Sequence, residues 1–147
     1  MANGNGNVSP KRRQEFFVYS TGRLAALAAG GNSVNSINIQ ADADFVLEKL
    51  TYGADIAGAV VNVGTYPAPN VLVMLLSSGS GQNLFQNPIP LTSLFGTGAL
   101  PFILPYPRVL PANSQLQVLL TSVEAASTPL LTLNFIGRKL YLLGQNV

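Results

Sequence analysis

Asp42 and Asp44, in the run SINIQADADFVLEKLTYG, are the best-placed pair of side chains for chemistry in this sequence. Carboxylates two residues apart on a strand share a face, where they could act as acid and base or supply oxygens to calcium, which needs about six or more of them. The alternative is a solvated strand end whose charges discourage edge-to-edge pairing, and the pair is read that way here. No catalytic residue and no metal site is assigned. The 147-residue chain has no histidine and no cysteine. That removes Ser-His-Asp and Cys-His catalysis, histidine metal sites and zinc clusters together. A hydrolase would have to work with six carboxylates, or with a serine paired to Lys11, Lys49 or Lys139. Neither glycine-rich phosphate-binding motif is present, so no cofactor is implied, and the chain is not expected to be an enzyme.

The remaining charged residues offer contacts more than chemistry. Three of the eight cations, Lys11, Arg12 and Arg13, sit together near the start, after MANGNGNVSP. Residues 1–14 read as a flexible basic arm, either a solvated tail or a segment that docks on a neighbouring subunit. No aromatic residue is interleaved with these cations and the net charge is only +2, so direct nucleic-acid binding is not expected. Arg138 and Lys139 follow Gly137 in NFIGRKLY, inside an otherwise apolar final strand. A glycine there marks a bulge or a close backbone approach, and the two cations are candidates for a subunit contact.

The elements that must position these residues are strands. FFVYS (16–20) is short and aromatic. In 36–53, Ile37, Ile39, Ala41, Ala43, Phe45 and Leu47 alternate with Asn38, Gln40, Asp42, Asp44 and Glu48, with Val46 the exception. Segments 56–63, 71–76, 115–123 and 130–141 complete the set, and RLAALAAGG (23–31) is too short for a stable helix. Residues 15–147 are therefore expected to form one all-β domain, an antiparallel β-sandwich closed in Greek-key or jelly-roll fashion.

Residues 77–111 are the awkward part, long and rich in both proline and apolar side chains. Their end, PFILPYPRVLP, reads as a stiff extended strap. It either wraps the sandwich's own open end or presents Phe102, Ile103, Leu104, Tyr106 and Val109 to a partner, with Arg108 beside them.

Composition frames both options. Hydrophobic residues make up 48% of the chain and charged ones 10%, against roughly 25% charged in ordinary soluble domains. A surface so poor in charge suits either a protein covered by other subunits or an ordinary β-domain with a Ser/Thr/Asn/Gln surface. The longest uninterrupted apolar run is far short of the roughly 20 residues of a membrane helix, and the N-terminal stretch lacks the apolar core of a signal peptide. No membrane association is expected.

Three pieces of the sequence carry a resemblance. The strand around Ala41–Phe45, the segment Pro105–Leu119 and the strand Leu133–Leu140 resemble, in order and spacing, the cement or decoration proteins of tailed bacteriophages. The resemblance spans about two thirds of the chain. It departs from the family at SSGSGQNLFQNPIP, where members carry a charged, GR-containing segment. It implies a jelly-roll homodimer or homotrimer, assembled in the host cytoplasm and held on the capsid exterior, that clamps major capsid protein subunits together. The partner-binding candidates are Lys11, Arg12, Arg13, Phe102, Tyr106, Arg108, Arg138 and Lys139. A carbohydrate- or receptor-binding jelly roll of a phage particle is the alternative, weakened by the absence of tryptophan.

Overall fold

The computed structural model describes residues 12–56, 59–60, 69–78, 83–124 and 128–141. In chain order these form β1 (Gln14–Arg23), β2 (Asn32–Asn38), β3 (Ala43–Ile56), β4 (Ala59–Val60), β5 (Val71–Ser77), β6 (Ile89–Pro90), the single turn α1 (Leu91–Leu94), β7 (Phe102–Leu110), β8 (Gln115–Ser122) and β9 (Leu130–Tyr141). One sheet runs β1-β9-β3, with β7 and the short β4 sharing the far edge of β3. The other runs β2-β8-β5-β6. Counted from the two ends inward, β1 pairs with β9, β2 with β8, β3 with β7 and β5 with β6, all antiparallel. The chain is one antiparallel ribbon folded over on itself, which is the jelly-roll topology the alternating segments predict.

Alternation decides which side chains meet between the sheets. Phe45 and Leu47 on β3, Leu131, Leu133 and Phe135 on β9, Val71, Val73 and Leu75 on β5, and Leu116, Val118 and Leu120 on β8 are all buried. Aromatic rings pack edge to face within this core, Tyr19 on Phe45 at 4.8 Å and Phe95 on Phe135 at 5.7 Å. Leu91 and Phe95, from the long 77–111 region, lie in the same core. These two side chains tie that part of the region to its own sandwich.

Two details depart from the simple period-two pattern. The run from Ile37 to Leu47 predicts one face of one strand, yet the structure splits it. β2 ends at Asn38 in one sheet, the chain turns, and β3 begins at Ala43 in the other. Both halves still bury their odd-numbered residues because the core lies between the sheets, and only Ala41, at the crossing, is exposed. Further on, β3 takes two steps from Leu47 to Lys49 while β9 takes one, so Glu48 is an extra residue. The bulge switches the inward positions from Phe45 and Leu47 to Leu50, Tyr52 and Ala54.

Gly137 faces Leu47 and Phe17 beside this bulge. A Cβ at residue 137 would collide with the Val46 carbonyl oxygen and lie 3.2 Å from Phe45 Cζ. Of the two roles open to this glycine, the structure selects close backbone approach; the bulge lies on the facing strand. Gly137→Ala is expected to destabilise the domain by about 3 kcal/mol, lowering the melting temperature by roughly 6–12 °C. Gly53→Ala, where a Cβ meets nothing within 4 Å, should shift it by less than about 2 °C. Thermal unfolding followed by circular dichroism compares the two directly.

Candidate partner-binding surface

The proline strap is β7, the edge strand against β3. Its ladder holds at Phe102–Ile103 and again at Arg108–Leu110. Between Leu47 and Lys49, β3 advances two residues while β7 covers the five from Arg108 to Ile103, so Leu104–Pro107 leave the ladder. Pro105 and Pro107 have no N–H to donate, which makes this the natural place for the chain to depart. The excursion leaves Tyr106 83% exposed, with Ile103 and Val109 exposed on either side.

Beneath the excursion lies an apolar groove of about 320 Å³, walled by Leu50, Leu84, Phe85, Ile89, Leu94, Phe102 and Leu104, with Pro105, Tyr106 and Arg108 also lining it. It sits where β7 of one sheet faces β6 of the other. β6 is only two residues long, so it does not close that side of the sandwich. The strap's side chains therefore divide between two directions. Phe102 and Leu104 pack toward the core, while Ile103, Tyr106 and Val109 face outward. Three sequence-derived candidates, Phe102, Tyr106 and Arg108, are brought together on this one groove.

The other candidates lie elsewhere. Arg12 is built into the frame: Nε donates to the Tyr141 carbonyl at 2.8 Å, and Nη2 donates to Asp44 Oδ2 at 2.9 Å and to the Leu140 carbonyl at 3.0 Å. Asp44 Oδ1 in turn accepts from the Ala112 N–H at 2.9 Å, joining the starts of β1 and β3, the end of β9 and the β7–β8 turn. Arg13 stacks over the Tyr141 ring at 4.0 Å, and its carbonyl accepts the Tyr141 N–H. The Tyr141 hydroxyl donates to Glu15 Oε2 at 2.7 Å, and that bond with burial raises its ionisation above the ordinary tyrosine value. Residues 12–14, counted in the basic arm from sequence, are thus held at the sheet edge; Lys11 lies outside the described residues.

Arg138 lies on the outer face of its sheet, bonded to Gln14 Oε1 at 2.7 Å and 4.0 Å from Glu48. Lys139 points the opposite way, and here the expectation of a subunit contact is corrected. Its residue is 4% exposed, and Nζ donates to Gln40 Oε1 at 2.5 Å and to Asp42 at 3.1 Å while lying 4.2 Å from the Phe17 ring. Alternation puts 139 on the inward row of β9, and a lysine there must carry its own partners inside. The carboxylate pair is explained in the same terms. Asp42 neutralises Lys139 and Asp44 neutralises Arg12, so the two do not converge on a common point. Among the described residues no cluster of three or more metal-ligating side chains exists.

Sequence reasoning missed the outer face of β1. Phe16 (75% exposed) and Val18 stand opposite Arg138 and Ile136, with Lys49 across from Ile136 on the other side. The signal was available in FFVYS, where Phe17 and Tyr19 turn inward and their neighbours must turn outward.

No protein-family model matches the chain, and no curated protein matches it. Among solved structures it is similar to the infectious bursal disease virus VP2 subviral particle, at 9% identity and a TM-score of 0.43. The likeness covers 91% of this chain and 34% of that one, so the chain spans about a third of its neighbour's length.

Lys139→Ala removes the internal partner of Asp42 and uncovers Phe17, and is expected to lower stability by about 2 kcal/mol. Lys139→Met, which keeps the stem over the ring, should recover part of that loss. Urea unfolding measures both, and an unchanged midpoint in the alanine variant would return Lys139 to the surface candidates.

Proposed function

We propose that this chain is a structural virion protein, a cement or decoration protein that binds the outer surface of a phage head and bridges major capsid protein subunits. The observation that carries this reading is the β7 excursion: Ile103, Tyr106 and Val109 project from a sheet edge beside an apolar groove. Large side chains held in place by two prolines and a ladder on either side lose little freedom on binding. Tyr106 is the anchor, since an exposed aromatic with a polar tip suits the centre of a protein contact. Phe102 and Arg108 act from the groove wall, and the segment ahead of Arg12, with Lys11, extends the reach toward the shell.

The mechanism is non-covalent bridging without turnover. The chain works as a homo-oligomer, dimer or trimer, assembled in the host cytoplasm and carried on the virion exterior. Each contact is small, but repeated copies on a lattice act multivalently and hold tightly in sum.

Tyr106→Ala is expected to reduce occupancy on purified particles by roughly tenfold, since a central interface aromatic contributes about 1–2 kcal/mol or more. Because Tyr106 is mostly exposed, the melting temperature of the isolated domain should move by less than about 2 °C. Cryo-EM occupancy measured beside thermal unfolding tests this. Wild-type protein absent from purified virions, or a variant that binds them normally, would overturn the reading.

A further inference from the structure

The two outer faces of the sandwich differ in charge. On the β1-β9-β3-β7 sheet, the outward rows carry Lys49, Arg138, Glu48 and the Arg12–Asp44 pair. On the β2-β8-β5 face, among the described residues, they carry none. Val34, Leu119 and Met74 are direct cross-strand partners and form a continuous apolar row across three strands. Leu76 lies in the row on one side with Ser36 and Gln117, and Leu72 in the row on the other side with Asn32 and Thr121. Val34 is 63% exposed, and Leu72, Met74, Leu76 and Leu119 are each half-buried on that face.

We infer that this uncharged face is where a second copy of the chain docks. The inference deepens the proposed function by naming the surface of the homo-oligomer, and it rests on that reading only for oligomerisation. Charge decides between the faces. A two-fold contact sets each patch against itself. On the β1-β9-β3-β7 face that would bury Lys49, Arg138 and Glu48, whose desolvation opposes binding. The aliphatic row meets itself with no charge to bury, and its amide and hydroxyl neighbours can pair with the same groups across the axis. A charged partner surface fits poorly here for the same reason, because its ions would be desolvated with nothing to answer them.

Size sets the strength. Three strands about 4.8 Å apart and seven residues long at about 3.4 Å each give a face of roughly 350 Å². That is the size of patches with a functional role on monomers, and less than half of the roughly 800 Å² each partner contributes to a standard stable complex. The dimer in solution should therefore be weak, with a dissociation constant on the order of micromolar or above, and reinforced when copies are held side by side on a lattice.

Sedimentation equilibrium of the full chain from roughly 5 to 500 µM is the test. Wild type is expected to shift from monomer toward dimer with concentration. Leu119→Lys, and independently Met74→Lys, should weaken self-association by at least about tenfold, with folding checked by an unchanged thermal transition. Thr132→Lys, on the outer face of the opposite sheet, should leave it intact. A chain that stays monomeric throughout, or dimers that survive both lysines, would overturn the assignment. If the chain stays monomeric and Leu119→Lys loses only particle occupancy, the face belongs to the shell contact and the inference fails. A chain that dimerises through this face yet is absent from virions keeps the inference and sinks the proposed function.

Discussion

The structure depends on one constraint: the inward rows of two sheets must meet with no unpaired charge between them. β3 and β9 supply most of the inner face of one sheet and β5 and β8 most of the other, and their buried side chains are aliphatic or aromatic wherever the sheets press closest. The exceptions are handled one at a time. Lys139 enters the interior with Gln40, Asp42 and the Phe17 ring around its ammonium. Gly137 gives up its side chain so that the Val46 carbonyl can approach. Glu48 is inserted so that β3 can change which parity faces inward. Gly137, Lys139 and Glu48 lie close together on β3 and β9, between the Arg12–Asp44 clasp and the main core.

Much of the fold was legible in the sequence because alternation is a local signal. Leu116, Val118 and Leu120, or Leu131, Leu133 and Phe135, announce their inward row without help from the rest of the chain. What was not legible depends on distant partners. A crossing between sheets and a straight strand look alike when the core lies on the same side of both, which is why 36–47 reads as a single element. The orientation of Lys139 follows from parity counted back from Phe135, yet its charge argues for solvent until Asp42 and Gln40 are brought beside it from about a hundred residues away. The strap was legible in kind, an extended proline-rich segment, but not in its division of labour, since that follows from where β3 bulges.

The surface divides by the same logic. Arg12 and Arg13 resemble a loose basic tail in sequence and turn out to fasten β1, β3 and β9 at a corner. The side chains left outward and unfastened are mostly uncharged: Tyr106, Ile103 and Val109 on the strap, Phe16 and Val18 on β1, Val34 on β2. A domain with so few charges has spent most of its ionic pairs on its own frame, and what remains for contact is shape and apolar area.

The ribbon topology has a consequence for how the protein comes into being. β9, the last strand in chain order, is the central strand of its sheet, flanked by β1 on one side and β3 on the other. Until it is in place, the two strands it joins have no ladder between them, and their apolar inner rows lack a floor. Long-range pairing of this kind is slow. On the ribosome, β3 can pair with β4 and β7 as they emerge, but β1 must wait, unpaired, for β9 to clear the exit tunnel before that sheet can close, and this interval is when the nascent chain most needs shielding from its neighbours.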